Sequence, residues 1–359
     1  MDAASAVRTK GSSNQPVSSD ALEFYKDYWV RGGDIIRGGF EHRRAILDYI
    51  FPSGLHHKRI VELGVGGEGG LIGQLRNANQ TFGFDASRSA VELCRQRGLN
   101  VTLMNLDIEP LPFPDLSIDI ILAMEVFEHF ASPQSVLEQI QRVLGPDGIV
   151  LISTPNPLVC HWPRLFYPEL FRWEAFRDLL MINRYRIEKT LGSKSLPFAV
   201  PGAAEVHWHW IWVCSKLDQS DPHMLFEYGR HFWNQKDPNG FRQKPVEAID
   251  FFSLCHQLRP EDPMYRFYLA RSLAYRFING EIDEFSRHYH FLAEMALNGD
   301  MARKREAWYH LAMIYLELNR YGNRCMPRKA FADALEQLGR DPQGGPYLEK
   351  ILQATPASA

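Results

Sequence analysis

The chain has 359 residues, which at roughly 150 residues per domain predicts about two domains. With 45% apolar and 23% charged residues it has the composition of a folded globular protein, not a disordered or fibrous one. Forty Lys and Arg against 43 Asp and Glu leave a net charge of −3, so no global field draws the chain to nucleic acid or to an anionic membrane.

The first segment, residues 1–20, is rich in Ser, Ala and other polar residues and reads as a disordered leader. It lacks the apolar core of a signal peptide, and no apolar run approaches the ~20 residues of a membrane span. The five cysteines, Cys94, Cys160, Cys214, Cys255 and Cys325, are far apart and form no Cys-x-x-Cys. They suggest neither a zinc site nor a disulfide framework, which fits a reducing cytoplasm.

After the leader, EFYKDYW is aromatic, VRGGDIIRGG is a joint, and FEHRRAILDYI has helical spacing. Short β-rich runs then alternate with helical stretches. The runs are RIVELG (59–64), TFGFD (81–85), VTLMNLD (101–107), IDIILAME (118–125) and GIVLIST (148–154). SAVELCRQRG and PQSVLEQIQRVLG between them read as amphipathic helices. This alternation predicts a parallel sheet with helices on both faces. VHWHWIWVCSK (206–216) alternates at period two and reads as a last strand.

Beyond Leu217 the texture changes. DQSDPH reads as a linker, and from there to Leu352 almost everything is helical. Gly229, Ala270 and Ala312 are spaced by 41 and 42 residues, each the small residue in an aromatic and aliphatic run. Ala248 and Pro260 are twelve apart, as are Ala330 and Pro342. Trp308, Leu311, Ala312 and Tyr315 resemble the first helix of a tetratricopeptide repeat, and AIDFFSLCHQLRPEDP resembles its second. Residues 221–352 are therefore expected to be an all-α, tetratricopeptide-like domain, and an unrelated helical bundle is the alternative.

The strongest chemical signal is RIVELGVGGEGG, a buried strand that ends in a glycine-rich turn. Glycines there let the backbone pass close to a ligand. GFDAS follows about 20 residues later, and a carboxylate at the end of a second strand can accept both ribose hydroxyls of an adenosine. Glu62 and Glu68 oppose a pyrophosphate, which wants a bare helix N-terminus, but suit a sulfonium and an amine.

The pieces VELGVGGEGG, GFDAS, LDIEPLPFPDLSIDIILAMEVFEH and LGPDGIVLISTPNP resemble, in order and spacing, the class I S-adenosylmethionine-dependent methyltransferases. The resemblance implies a Rossmann-like α/β domain with a seven-stranded sheet over residues 21–217, and S-adenosylmethionine as cofactor. It implies that Glu62 and the Gly64, Val65 and Gly66 backbone lie near the methionine moiety. Asp85 with Ala86 would hold the ribose, Asp107 and Ile108 would read the adenine, and Met124 would complete the set. The family pattern has a glycine where this chain has Glu68; one inserted residue would give Gly69 that role. His42, Arg43 and Arg44 lie on the helix before the first strand, where an Arg could grip the cofactor carboxylate or the face could simply be solvated, and Tyr25, Tyr28 and Trp29 lie where the family folds a helix over the cofactor.

MEVFEHF follows the fourth strand. Glu125, Glu128 and His129 stand at i, i+3 and i+4, which on an α-helix puts all three on one side. Two carboxylates and an imidazole there could hold a divalent cation. Alternatively His129, with Glu128 beside it, could act as general base. EVFEH followed by STPNP resembles the ubiquinone-biosynthesis O-methyltransferases and the small-RNA 3′-terminal 2′-O-methyltransferases, which implies Mg²⁺ on Glu125, Glu128 and His129. Glu169, before LFRWEAF, stands where the RNA group has a further metal-binding His. The aromatic arm between Asn156 and Arg172, with His161 and Arg164, would meet the acceptor.

The sequence thus reads as an S-adenosylmethionine-dependent enzyme methylating a hydroxyl of a glycan or small metabolite. The helical repeats are expected to offer a surface to a protein partner, with nucleic acid disfavoured. The rivals are ribose 2′-O-methylation of RNA, and a scaffold whose methyltransferase domain is inactive.

Overall fold

A computed structural model describes residues 37–157, 171–193, 209–238, 242–278, 282–320, 326 and 328–355. The leader, Tyr25, Tyr28, Trp29, His161, Arg164 and Glu169 lie outside the described residues. The chain divides into two compact units, Met1–Leu217 and Asp218–Ala359.

In the first unit α1 (Arg37–Ile50) precedes β1 (Arg59–Leu63), α2 (Ile72–Leu75), β2 (Gln80–Asp85), α3 (Arg88–Gln96), β3 (Val101–Leu103) and β4 (Ile118–Met124). A 3₁₀ turn (Phe127–His129) leads to α4 (Pro133–Val143), β5 (Leu144–Pro155), α5 (Trp173–Ile182), β6 (Tyr185–Ser193) and β7 (His209–Lys216). The seven strands form one sheet in the order β3-β2-β1-β4-β5-β7-β6. β1 to β5 are parallel, and β7 runs antiparallel to both β5 and β6. Runs such as IDIILAM are apolar at almost every position because a parallel strand is covered on both faces.

The two covers are distinct. Val61, Leu63, Ile121, Ala123, Val150 and Ile152 face Val136, Leu137 and Ile140 of α4 and Phe176 and Leu180 of α5. Ile60, Ile120, Leu122, Met124 and Leu151 face Ile46 and Leu47 of α1, Ile72 of α2, and Val91 and Cys94 of α3. Successive residues along each strand thus serve opposite layers. Ser87 caps α3, its hydroxyl accepting from the Ala90 amide at 3.3 Å.

One expectation needs correction. β3 stops at Leu103, so Asp107 does not end a strand; it lies in a turn where its amide donates to Asn105 Oδ1 at 3.1 Å. The seven-stranded sheet implied one strand more than the six runs located in the sequence, and that strand is β6 (Tyr185–Ser193). YRIEKTLGS carries Arg, Glu and Lys and breaks register between Ile187 and Lys189, which hides its period from a sequence reading.

Among the described residues the elements of the second unit are helices, α6 (Pro222–Asn234), α7 (Pro245–Leu258), α8 (Pro263–Ile278), α9 (Ile282–Asn298), α10 (Met301–Arg320), α11 (Arg328–Arg340) and α12 (Gly345–Ala354), with an isolated β-bridge between Lys236 and Arg242. Each of α6 to α11 packs on the next, α8 also meets α10, and α10 meets α12. The three spaced small residues fall on α6, α8 and α10, the first helices of successive pairs. Ala270 and Ala312 are buried, and a Cβ on Gly229 would stand 2.6 Å from the Phe252 ring of α7. Asp221 caps α6, accepting from the amides of His223 and Met224 at 2.9 and 3.2 Å. Among the described residues no helix is long and apolar enough to cross a membrane.

Candidate active site

The carboxyl ends of β1, β2, β4 and β5 gather the sequence-derived candidates at one edge of the sheet. The glycine-rich turn after β1 is fixed from four sides. The Gly66 amide donates to Asp85 Oδ2 at 2.8 Å, tying the turn to the end of β2. The Gly66 carbonyl accepts from the Cys94 thiol of α3 at 3.1 Å, and the Gly67 carbonyl accepts from Arg97 Nη1 at 2.8 Å. The amides of Leu71 and Ile72, at the start of α2, donate to the two oxygens of Glu62 at 3.1 and 2.9 Å.

Glycine is required where φ is positive: Gly64 (70°), Gly66 (70°), Gly69 (95°) and Gly70 (53°). Gly69 does adopt a glycine-only backbone, and a Cβ there would meet Leu99 Cδ1 at 2.6 Å. Gly70 is equally constrained, because a Cβ would overlap the Glu62 carboxylate. Two glycines thus stand after Glu68, both in the left-handed region and both without room for a Cβ.

Glu62 sits beneath the turn, 1% exposed, with its oxygens on the α2 amides. Burial pushes its carboxyl up to about 7, against the two amides and Arg43, which pull it down. Its role here is to hold the turn. The sign of the linkage follows: the folded state favours the protonated carboxyl, so its contribution is complete below pH 4.5 and is lost as pH rises through about 7. The loss across that window is expected to reach about 3 kcal/mol. Urea midpoints compared at pH 5 and pH 8 measure it, and Glu62→Gln should flatten the slope; an unchanged slope would acquit Glu62.

Asp85 is half-buried, and desolvation raises its carboxyl against the amides of Gly66 and Ser87, both at 2.8 Å. Each oxygen thus accepts one backbone N–H and keeps a second lone-pair direction. Asp107 Oδ1 accepts from the Ser132 amide at 3.1 Å, while Oδ2 is buried with no hydrogen-bond partner among the described residues. Beside it Ile108 is 69% exposed, an unusual place for a large aliphatic side chain. Ala86 is exposed, and Val65 and Met124 are buried in the layer beneath.

The cluster after β4 differs from the one-face helix expected. Only Phe127–His129 is helical, as a 3₁₀ turn, and Glu125 precedes it with φ 56°. A 3₁₀ turn advances 120° per residue, so Glu128 and His129 diverge. The Glu125 amide is held by Ser153 Oγ of β5 at 2.9 Å. Its carboxylate stands 3.4 Å from Arg43 of α1 and 3.8 Å from His209 Nε2 of β7. Glu128 is 1% exposed with Oε2 unpartnered, and burial and the Glu125 charge hold its carboxyl well above the usual range. Burial thus disfavours the charged form of this carboxyl. His129 is half-buried at the same edge. Among the described residues no three His, Cys, Asp or Glu side chains are grouped to hold a metal ion. The expected Glu125, Glu128, His129 ligand set is therefore not assembled, because one carboxylate faces an Arg and the other is buried; Glu169 lies outside the described residues. His209, absent from the sequence-derived set, is brought in by register: it pairs with Pro155 at the carboxyl end of β5.

Comparison with known proteins falls on the same segments. Residues 61–152 match the family model described as "Methyltransferase domain". A probable S-adenosylmethionine-dependent methyltransferase of Mycolicibacterium smegmatis is 28% identical over 174 residues, 46% of this chain and 63% of that protein. A ubiquinone biosynthesis O-methyltransferase of Alkalilimnicola ehrlichii is 31% identical over 166 residues, 38% of this chain and 66% of that protein. The chain thus spans somewhat under two thirds of the length of each. A solved N-methyltransferase, NodS of Bradyrhizobium japonicum in complex with S-adenosyl-L-homocysteine, is 12% identical, with TM-score 0.44 over 55% of this chain and 98% of that one. The family match thus lies on β1 to β5 and the turns that build this edge, and the relatives that resemble the chain include S-adenosylmethionine-dependent methyltransferases.

Proposed function

We propose that the first unit binds S-adenosylmethionine at the carboxyl edge of β1, β2 and β4 and transfers its methyl group to a hydroxyl of a glycan or small metabolite. The carrying observation is the buried, unpartnered Asp107 Oδ2 beside exposed Ile108, on the edge where Asp85 holds the glycine turn. A buried acceptor left unpaired costs ~1–3 kcal/mol. An adenine lying there would pair that oxygen and cover the isoleucine. The two spare lone pairs of Asp85 suit a ribose diol, and the turn leaves its backbone close to the methionine moiety.

Bound S-adenosylmethionine supplies a methyl group activated by a sulfonium. The chain's own residues orient the acceptor and take its proton. His129, half-buried at the edge, removes the hydroxyl proton as the oxygen bonds to the methyl carbon. Glu125, fixed by Ser153 and facing Arg43 and His209, shapes the acceptor side of the edge. Three described cysteines, Cys94, Cys214 and Cys255, are free thiols, in keeping with a reducing cytoplasm. The pairwise stacking of α6 to α11 supports reading the second unit as tetratricopeptide-like, with a face for a protein partner.

Calorimetry tests the cofactor site. Asp85→Ala frees the Gly66 amide and removes the diol acceptor, so S-adenosylmethionine affinity should fall at least about fivefold. Unchanged affinity would take Asp85 out of the site.

A further inference from the structure

In the second unit an imidazole sits at each place where one helix pair meets the next. His256 of α7 and His288 of α9 join the first pair to the second, their ring centroids 5.4 Å apart and nearly perpendicular. His310 of α10 joins the third pair to the second, 5.5 Å from the Phe267 ring and 5.0 Å from the Tyr268 ring of α8. His288 is 5% and His310 1% exposed, and His256 is half-buried. The Nδ1 atoms of all three are buried with no hydrogen-bond partner among the described residues.

The surroundings favour the neutral ring. Arg266 of α8 acts on both His256 and His288, and Arg287 of α9 acts on His288 as well. Arg266 is fixed 3.9 Å over the Phe291 ring, with Glu294 of α9 as its counter-charge. His310 faces Arg271 and the Tyr268 phenol of α8, and on its own helix Tyr309 and Glu306, whose Oε2 lies 3.7 Å from Nε2. The Glu306 side chain is 40% exposed and accepts from the Tyr347 hydroxyl of α12 at 2.5 Å, so it does little to hold a proton on the ring. Burial first and the guanidiniums second depress all three imidazoles, His288 to about 4 and His310 well below the ordinary histidine value.

An imidazolium in a closed joint would be a buried cation beside a guanidinium, whereas water solvates it once the helices part. We infer that the contacts between successive helix pairs are a proton-sensitive joint, closed by neutral His256, His288 and His310 and opened when they are protonated. The closed state binds fewer protons than the open one, so the His288 contribution is complete above pH 6.5 and is lost as pH falls toward about 4. Glu62 works in the reverse sense, its contribution to the first unit being complete below pH 4.5. Mild acid thus slackens the helical array while it firms the glycine turn. The inference does not depend on methyl transfer in the first unit.

The test is amide hydrogen exchange of the full chain at about pH 7.5 and about pH 5.5, corrected for intrinsic exchange; carboxylates of ordinary value, ~4, titrate below this window. Amides of α7 to α10 should open at least about tenfold more often at the lower pH, the factor that one imidazole yields one unit below its ordinary value, and those of β1, β4 and β5 no more often. His288→Gln should remove most of the response in α7 and α9, and His310→Phe most of it in α10. His223→Gln, exposed on α6, should leave it unchanged. Should circular dichroism show that either variant has lost its helices at the higher pH, Arg266→Gln takes its place and should at least about halve the response, because it removes the charge beside two of the rings. No added opening of α7 to α10 in acid, equal opening of the first unit, or a full response in the folded histidine or Arg266 variants would each overturn the inference.

Discussion

A Gly70→Ala protein is expected to lose most of the stability of its first unit, together with measurable S-adenosylmethionine binding. The new methyl group would occupy the place of the Glu62 carboxylate, at φ 53°. A left-handed alanine costs roughly 1–2 kcal/mol. Displacing the carboxylate strands the Leu71 and Ile72 amides and a buried charge, at about 1–3 kcal/mol for each unsatisfied group. The sum, on the order of 4 kcal/mol, is a large part of the 5–15 kcal/mol that holds a typical domain together. Gly73→Ala is the matched control. It lies in α2 with its nearest neighbour, Leu99, at 3.6 Å, and gains helix propensity, so its urea midpoint should stay level or rise. Equal midpoints for Gly70→Ala and the parent would mean that Glu62 does not prop the turn.

The second large effect concerns proton removal. His129→Ala should lower the methyl-transfer rate about 10²–10⁴-fold and abolish the rise of rate with pH through the histidine range. Glu125→Ala should cost less and act mainly on the acceptor KM, because Glu125 faces Arg43 and His209 instead of carrying the proton. Glu128→Gln should leave the rate nearly unchanged, since the side chain is buried away from the edge and its burial disfavours the charged form that the substitution removes. Chelator should also have little effect, because Glu125 and Glu128 do not present a joint ligand set. Loss of activity in chelator with recovery in magnesium would overturn that assignment. Full activity of His129→Ala would leave positioning alone as the source of rate.

The central sheet was legible because its parallel strands are buried on both faces and therefore spell continuous apolar runs. β6 was not, since an edge strand is covered less and its register break disrupts the alternation. The glycine turn was legible from composition, but the need for two glycines after Glu68 was not. That need comes from the Glu62 carboxylate and the Leu99 side chain, which only the folded chain brings to the turn. Spacing likewise promised a helix for Glu125, Glu128 and His129. Instead Glu125 is left-handed with its amide on Ser153 of the neighbouring strand, so it stands outside the helix, which is a single 3₁₀ turn. His209 had no local signal at all, because its proximity to Glu125 is set by pairing between β5 and β7, strands far apart in sequence.

The ends of the sheet have a consequence for self-association. A strand at the end of a sheet offers a row of amides and carbonyls to any other chain that can pair with it. Here β3 has three residues, too few to template a lasting ladder. At the other end β6 combines a bulge with exposed Arg186, Glu188 and Lys189, so an incoming strand would meet a bent backbone and bring its own side chains against fixed charges. The interior strands, the most apolar and amyloid-prone stretches of the chain, lie inboard of both. One margin is thus guarded by its shortness and the other by its bulge and charges, and replacing Arg186, Glu188 and Lys189 together by valine should open the second to pairing with another chain.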